Sequence, residues 1–343
     1  MRWETPHLTR QRQGSALLAT GAAAILLAMM LVLSACAAPG SNEPEADFPS
    51  RELTIIAGGG PGGGLDTVSR QLVDAMQSTG VEQRLTVVNN AAGNGNSARA
   101  NVLSSPHNGY RVVIDSNRVI LNTMMGNTEL DFEEFAPLAS LSTDHMVWVV
   151  PQNSPFRSAR DVIEAVKKDT QSVTFGIGSI PSDEQLNILL PMKTSGVKDL
   201  RSLNIVNFLD GGAVNTELLG GRIDVASTGY SEIAPMVESG DFRVLSVSGE
   251  EPLGDIPNWK SMGMDVVLSH WRGVFGPADM PENTKQWWIE SMRRATESPQ
   301  WKQQVENVGL IPEFVPGEEF RQQILHERET MAAIYKEVGI AND

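Results

Sequence analysis

The hydrophobic pattern of this chain changes repeatedly between short apolar runs and amphipathic segments. Short runs of apolar and β-branched residues predict strands, at residues 53–57, 85–89, 111–115, 145–150, 173–177, 203–207, 223–226 and 243–247. Apolar residues three or four positions apart predict helices, at residues 65–78, 97–103, 159–168, 183–190, 213–219 and 231–238, and an almost entirely helical tail from residue 282. Strands that alternate with helices are typical of α/β proteins with parallel sheets. We therefore predict an α/β fold.

The first residues follow a different pattern, that of an export signal. Three arginines precede an uncharged run at 15–35, which ends in Leu33-Ser34-Ala35-Cys36 and matches the bacterial lipobox. We predict a lipoprotein signal peptide at 1–36, with lipidation of Cys36, and a flexible tether at 37–47. An uncleaved transmembrane anchor is the alternative, since about 20 apolar residues can span a bilayer. Either way, the folded body is expected outside the bacterial cytoplasmic membrane, anchored to its outer face.

The composition restricts the chemistry of the folded body. Cys36 is the only cysteine of the chain, so its lipidation leaves no thiol for disulfides, nucleophilic catalysis or metal binding. A formal net charge of −15 disfavours binding to nucleic acid through phosphates. The histidines lack metal-ligand spacing, and no Gly-x-Ser-x-Gly elbow is present. We therefore expect no metal, no cofactor, no nucleic acid and no enzymatic activity.

A glycine-rich loop follows the first predicted strand and precedes the first helix, at Gly58–Asp66. Glycines permit positive φ, and the start of the helix adds its positive end, so such a loop favours an anion. Asp66 either caps this helix or faces the ligand, and the two roles can coexist. The loop also fits Gly-x-Gly-x-x-Gly, but the second strand lacks the ribose-binding acid and the loop lacks the P-loop lysine, which disfavours nucleotides.

Small polar residues recur in the loops at the ends of the other predicted strands. In open α/β sheets ligands bind beyond these strand ends. The loops therefore predict a cleft lined by backbone N–H groups and short polar side chains. Arg118 and Arg272 follow pocket positions, and for each of them a salt bridge to the ligand and an exterior position are both open.

Several segments, in their order and spacing, resemble the extracytoplasmic receptors of tripartite tricarboxylate transporters, the TctC or Bug family. They cover the chain from Phe48 to Ile340 and include Leu53-Thr-Ile-Ile-Ala, Pro61-Gly-Gly-Gly-Leu-Asp66, Asn89 to Asn96, Pro106-His-Asn-Gly109-Tyr110, Asp131-Phe-Glu-Glu-Phe135, Gly176-x-Gly178-Ser179 and Leu218-Leu-Gly-Gly-Arg-Ile-Asp224. The resemblance implies a two-domain, type II-like Venus flytrap fold of the periplasmic-binding-protein class. The domains implied are 48–149 plus 274–343, and 150–273, with the ligand cleft between them.

The resemblance also implies what binds where. A small organic acid would be held mainly by backbone N–H groups and passed to the small and large membrane permease subunits by a monomeric receptor. Gly178, Ser179 and Pro181 would form a pincer for a carboxylate on the second domain. The full set of ligand-binding residues implied by position is Pro61, Gly62, Gly63, Gly64, Asp66, Asn89, Gly95, Asn96, Ser116, Asn117, Gly178, Ser179, Pro181, Asp210, Gly211, Gly212 and Thr228.

The chain departs from the family pattern by losing basic and aromatic positions and by gaining acids near the cleft, Asp183 and Asp210. Unpaired carboxylates in a desolvated cleft would repel a dianion. Either these aspartates cap helices, or the ligand carries fewer negative charges than citrate, together with an ammonium or several hydroxyls. A receptor that signals to a sensor partner, and a secreted α/β enzyme on the same scaffold, are the functional alternatives.

Overall fold

The computed structural model describes Met1, residues 47–208 and residues 211–337. The predictions for the signal peptide, for Cys36, for the tether up to residue 46 and for Asp210 lie outside the described residues. Among the helices that are described, none combines the length and the apolar character that a membrane crossing needs.

Ten strands form one curled sheet in the described part of the chain. Their bounds are β1 Leu53–Ala57, β2 Leu85–Asn89, β3 Arg111–Asp115, β4 Phe135–Pro151, β5 Thr174–Ile177, β6 Asn204–Asn207, β7 Val225–Gly229, β8 Phe242–Val247, β9 Ser269–Pro277 and β10 Ile311–Pro316. The order is β2-β1-β3-β9-β4-β7-β5-β6, with β8 and β10 also paired to β4. Strands β1 to β3 are mutually parallel, as are β5 to β7, whereas β4 and β9 run antiparallel to their neighbours. The sheet is thus mixed. The predicted parallel pairing is present within β1 to β3 and within β5 to β7, whereas the antiparallel pairing of β4 and β9 was not predicted.

The helices fill the connections between these strands. Their bounds are α1 Gly64–Ser78, α2 Asn96–Leu103, α3 Arg118–Met124, α4 Ala159–Lys168, α5 Asp183–Thr194, α6 Gly211–Leu219, α7 Tyr230–Glu238, α8 Glu282–Glu297, α9 Pro299–Asn307 and α10 Gly317–Glu337. Strand β10 interrupts the tail that the sequence predicts to be helical. The short helix α3 and the strand β9 are also absent from the prediction.

Each half of the sheet carries helices on both faces, because side chains alternate along the strands. In the first half, Ile55 faces a core with α1, α8 and α9, and the adjacent Ile56 faces a core with α2, α3 and α10. In the second half, Trp148 packs with α4 and α5, while Val147 and Val149 pack with α6 and α7. This arrangement directs the loops after the parallel strands to one region, where the site lies.

Candidate functional site

A cavity of about 1020 Å³ lies where the loops after β1, β2, β3, β5 and β6 meet the first residues of β9. The predicted ligand-binding residues that line it are Pro61, Gly62, Gly63, Gly64, Ser116, Asn117, Gly178, Ser179, Gly211 and Gly212. The predicted residues that are described but lie outside its lining are Asp66, Asn89, Gly95, Asn96, Pro181 and Thr228. Whether any of these residues contacts a ligand remains a prediction.

The glycine-rich loop and the start of α1 form the first wall of the cavity. Gly62 has a φ of +79°, whereas Gly63 has a φ of −77° and is the N-cap residue, with no side-chain cap. Positive φ is therefore needed at Gly62 and not along the whole loop. The Gly62 N–H donates to Asp66 Oδ2 (2.8 Å), and the Gly63 N–H donates to the Gly60 carbonyl (3.2 Å). The N–H groups that remain for a ligand are those of the first helical turn, beginning at Gly64.

Asp66 supports this loop from behind. Its carboxylate accepts the Gly62 N–H and pairs with Arg70, 2.9 Å away. Burial raises the pKa of Asp66, but the hydrogen bonds from Arg70 and Gly62 outweigh it, so the net pKa is below its usual value. Asn89 also braces the loop, since its amide donates to the Gly59 carbonyl (3.2 Å). Both residues hold the loop in place from outside the cavity lining.

A buried charge network stands behind the second and third loops. Asp115, at the end of β3, pairs with Arg99 on one side and with Arg118 Nη2, at 3.0 Å, on the other. Arg118 also donates to the Gly58 carbonyl (2.9 Å), so it links the third loop to the glycine-rich loop. Gly95 allows a close approach here, because a Cβ at this position would lie 3.0 Å from Asp115 Oδ2. Arg118 lines the cavity, and the pair Arg99 and Asp115 holds it there.

Arg272, from β9, brings a second guanidinium to the cavity wall. Its side chain is 2 % exposed, and its Nη2 lies 3.4 Å from Asp144 Oδ2. A Cβ on Gly64 would lie 2.9 Å from the same Nη2, so the guanidinium lies against the first residue of α1. The Nε of Arg272 has no hydrogen-bond partner among the described residues. The sequence left open whether Arg118 and Arg272 lie at the cavity or on the exterior of the protein. In the structure both arginines line the cavity.

The opposite wall begins with the loop after β5 and the start of α5. Ser182 caps α5 by accepting the Gln185 N–H (3.2 Å). Glu184 Oε2 accepts two backbone N–H groups, from Gly178 at 2.7 Å and from Ser179 at 3.1 Å. Burial, and then the neighbouring Glu232, raise the pKa of Glu184 to about 8. The two N–H groups predicted to hold a ligand carboxylate therefore already hold a carboxyl group of the chain.

Glu232, from α7, brings a second carboxyl group to this wall, beside the start of α6. Its Oε2 accepts the Thr228 hydroxyl (3.0 Å) and lies where a Cβ on Gly211 would be. Asn215, one turn into α6, lines the same wall, and its Oδ1 has no hydrogen-bond partner among the described residues. This wall of the cavity is thus lined by two glutamates and an asparagine.

Asp183, which is buried, and His270, which is partly buried, form a pair between the two walls. Asp183 Oδ2 lies 2.6 Å from His270 Nδ1. Burial, followed by the charge of Glu327, raises the pKa of Asp183 well above its usual value, and burial lowers the pKa of His270 well below its usual value. Both groups therefore favour their neutral forms, and the pair adds no net charge to the cavity. Asp183 does not cap α5, because that position belongs to Ser182.

The sequence pattern did not distinguish Glu184, Glu232 or Asn215 as site residues. Acids in the first turn of a helix are common because they interact favourably with its positive end. The position of Glu184 in the sequence therefore did not indicate a role in the site. Its position six residues after Gly178 is the one available signal, since that spacing lets a side chain turn back to the loop N–H groups. His270 offered no signal, because its partner Asp183 is 87 residues away in the chain.

We expect the protein to lose stability as the pH rises from about 5 to about 7, partly because of Glu327. Burial raises the pKa of Glu327, which accepts a hydrogen bond from Trp271, from 4.5 to about 7. In this window the unfolded chain ionises Glu327 and the folded protein does not, so rising pH favours unfolding. Melting temperatures measured against pH should decline less steeply for Glu327→Gln than for the wild type. Glu329→Gln, at an exposed position of the same helix, should follow the wild type, and equal slopes for all three proteins would contradict the assignment.

Comparison with known proteins identifies the family. The model of the tripartite tricarboxylate transporter family receptor, TctC, matches residues 68–340. The chain is 24% identical, over 90% of each chain, to the UPF0065 protein in the TAR-I ttuE-ttuC' intergenic region of Agrobacterium vitis. Its fold matches an R. palustris protein solved with adipate at a TM-score of 0.79 (20% identity, 86% of this chain and 99% of that one). It also matches MatC from Rhodopseudomonas palustris, solved with bound malate, at 0.74 (18% identity, 84% and 99%). These matches confirm the resemblance and the α/β periplasmic-binding-protein fold: the chain belongs to the receptor family of the tripartite tricarboxylate transporters and is a solute-binding receptor.

Proposed function

We propose that this receptor is anchored by a lipid on Cys36, binds a small organic acid outside the cytoplasmic membrane and delivers it to a small and a large permease subunit. In this proposal it is a monomer that needs no cofactor and catalyses no reaction. The main support for an acid as the ligand is at one cavity wall, where the start of α1 has no side-chain cap and lies beside the Arg272 guanidinium. Structural neighbours that contain adipate and malate support a carboxylate ligand.

The proposed carboxylate lies at the start of α1. The N–H groups of Gly64 and Leu65 open this helix and have no acceptor within the helix itself. The helix dipole favours a negative charge there, and the Arg272 guanidinium lies beside Gly64. A carboxylate can thus accept backbone N–H groups and a charge-assisted hydrogen bond at once, which are the strong interactions for this group.

Closure around the ligand is proposed to occur between two domains, 48–149 plus 274–343 and 150–273. Support comes from β4, which pairs with β9 from Phe135 to His145 and with β7 and β8 from Met146 onwards. A strand shared in this way can transmit hinge bending between the two halves of the sheet. The cavity is lined from both proposed domains, by Gly64 and by Gly178 among others, so closure would bury the ligand.

Anchoring by Cys36 predicts a change of cell fraction when this residue is replaced. We expect the wild type in the membrane fraction and Cys36→Ser as unlipidated material that is uncut or soluble, because the thiol is the site of lipid attachment. Fractionation and mass spectrometry of the N-terminal peptide measure both properties. Equal partitioning of the two proteins, with no acyl group on Cys36, would falsify the lipid anchor.

Ligand class is tested by thermal unfolding against a panel of carboxylates, amino acids and sugar acids. A ligand that binds the folded state raises the melting temperature, and the rise grows with the logarithm of the ligand concentration over Kd. We expect organic acids to raise it, and neutral sugars to leave it unchanged. A shift produced by neutral sugars and by no acid would contradict the proposed ligand class. Genes for permease subunits beside this one, and none for a sensor kinase, would favour transport over signalling.

A further inference from the structure

The wall opposite Arg272 is already occupied by carboxyl groups of the chain. Glu184 Oε2 accepts the N–H groups of Gly178 and Ser179 at 2.7 and 3.1 Å. Two convergent backbone N–H groups form the kind of site that binds an anion. A second ligand carboxylate at this wall would therefore have to displace Glu184 and forfeit two hydrogen bonds that the protein makes on its own.

Other side chains that line the same wall are also acids or amides, namely Glu232, Asp183 and Asn215. Glu232 Oε2 lies against Gly211, at the start of α6, which is the other place on this wall where an anion could meet a helix N-terminus. Asn215 Oδ1 and Asp183 Oδ1 belong to cavity-lining residues and have no hydrogen-bond partner among the described residues. The Asn215 amide nitrogen donates to the backbone carbonyl of Glu232 (3.3 Å), which links α6 to α7 at this wall.

The two walls therefore differ in chemical character, since guanidinium groups line the first and carboxyl groups line the second. Arg272 and Arg118 line the first wall, together with the start of α1. Glu184, Glu232, Asp183 and Asn215 are among the residues that line the second. Carboxyl groups such as those of Glu184 and Glu232 favour a ligand group that carries a positive charge or donates hydrogen bonds. A ligand that complements both walls carries a negative charge at one end and a donor at the other.

We propose that the ligand of this receptor is an amino carboxylate, with its carboxylate at α1 and Arg272 and its ammonium facing Glu184 and Glu232. Glu184 takes the place of a second ligand carboxylate and so selects against dicarboxylates. This inference rests on the proposed function, since it assumes that a carboxylate binds at the first wall.

The protonation of Glu184 gives the proposal a second, independent readout. The charged and titratable groups facing Glu184 are Glu232, Asp183 and Arg118. Burial and Glu232 raise the pKa of Glu184 to about 8, and a nearby ammonium favours the ionised carboxylate. Binding of an amino carboxylate at pH 7 should therefore release protons. Calorimetry in two buffers of different ionisation enthalpy counts these protons, and no release for the best amino carboxylate would contradict the placement of its ammonium.

The decisive experiment compares ligands of equal carbon number by calorimetry on the wild type. The pairs are 4-aminobutyrate and succinate, 5-aminopentanoate and glutarate, and 6-aminohexanoate and adipate, with glutamine added as an α-amino acid. We expect the tightest ammonium-bearing ligand to bind at least tenfold more tightly than any of the dicarboxylates. Dicarboxylates that bind more tightly than every amino carboxylate would overturn the inference and leave the proposed function standing. No binding by any member of the panel would contradict both.

Variants of Glu184 assign the selectivity to this residue. Glu184→Gln keeps an oxygen for the Gly178 and Ser179 N–H groups but cannot ionise beside an ammonium, so the preference for amino carboxylates should fall at least tenfold. Glu184→Ala vacates both N–H groups and should improve dicarboxylate binding. Glu164→Gln, at an exposed position on α4, is the matched control and should behave as the wild type. Glu232→Gln should also lower the preference and provides a test if the Glu184 variants fail to fold. Unchanged selectivity in folded Glu184→Gln and Glu232→Gln proteins would overturn the inference.

Discussion

Replacement of Arg272 by glutamine should lower the affinity for the carboxylate ligand by about 30-fold or more. Truncating one partner of a buried, hydrogen-bonded charge pair costs about 2–5 kcal/mol, and about 2 kcal/mol corresponds to roughly 30-fold in Kd. Arg272 fits this case, because its side chain is 2 % exposed and lies beside the start of α1. Calorimetric titration of the variant with the best wild-type ligand measures the loss.

Two further variants separate ligand binding from folding. Arg293→Gln removes an arginine from the surface of α8, where the side chain is 42% exposed, and should leave the affinity unchanged. Gly64→Ala places a methyl group 2.9 Å from Arg272 Nη2 and should weaken binding by moving the guanidinium without removing its charge. If folded Arg272→Gln protein retains the wild-type affinity, the carboxylate does not bind at this wall.

Replacement of Asp115 by asparagine should lower the free energy of unfolding by about 3–5 kcal/mol, the usual cost of removing one partner from a buried ion pair. The side chains of Asp115 and Arg99 are 0% and 1% exposed, so the substitution leaves the Arg99 charge buried without its counter-charge. Arg118 lies on the other side of Asp115, and the two guanidinium groups would then repel each other without a carboxylate between them. Denaturant unfolding measures the loss.

The matched control for this substitution is Asp74→Asn. Asp74 is exposed on α1, so this change should alter the stability by less than about 0.5 kcal/mol. A loss below about 1 kcal/mol in Asp115→Asn would mean that the network is not a stabilising element. In that case Arg118 would be held at the cavity by its hydrogen bonds to Gly58 and Asn94 alone.

Short parallel strands could be predicted from the sequence almost to the residue. Strands β1, β2 and β3 are apolar runs bounded by glycine, asparagine or serine, so pattern and turn chemistry agree at their ends. Strand β4 was predicted only at 145–150 but spans Phe135–Pro151. Its first part contains Ser140, Ser142 and Asp144, which are buried polar residues and which break the apolar run.

Strand β9 shows why other elements could not be predicted. It has two internal glycines and an arginine, a composition that favours a loop. Gly273 is tolerated in the strand because Phe320, from α10, packs where a Cβ would be. Arg272 is tolerated because the start of α1 and the Asp144 carboxylate lie next to its guanidinium. These compensations come from residues far away in the chain, which periodicity does not reveal.

The loops that form the candidate site could be predicted from the sequence, but the charged side chains that line it could not. Glycines and short polar residues at strand ends indicated the loops at Pro61–Gly64, at Ser116 and at Gly178, and all of these line the cavity. Which acids turn toward the cavity depends on tertiary hydrogen bonding. Asp66 faces its own loop, whereas Glu184 turns back onto two N–H groups.

The most direct test of the central claim is a crystal structure of the receptor with its tightest-binding organic acid. We predict the ligand inside the cavity, with a carboxylate oxygen within hydrogen-bond distance of the Gly64 or Leu65 N–H and of the Arg272 guanidinium. A carboxylate bound elsewhere, with the start of α1 and Arg272 making no contact to the ligand, would contradict this account.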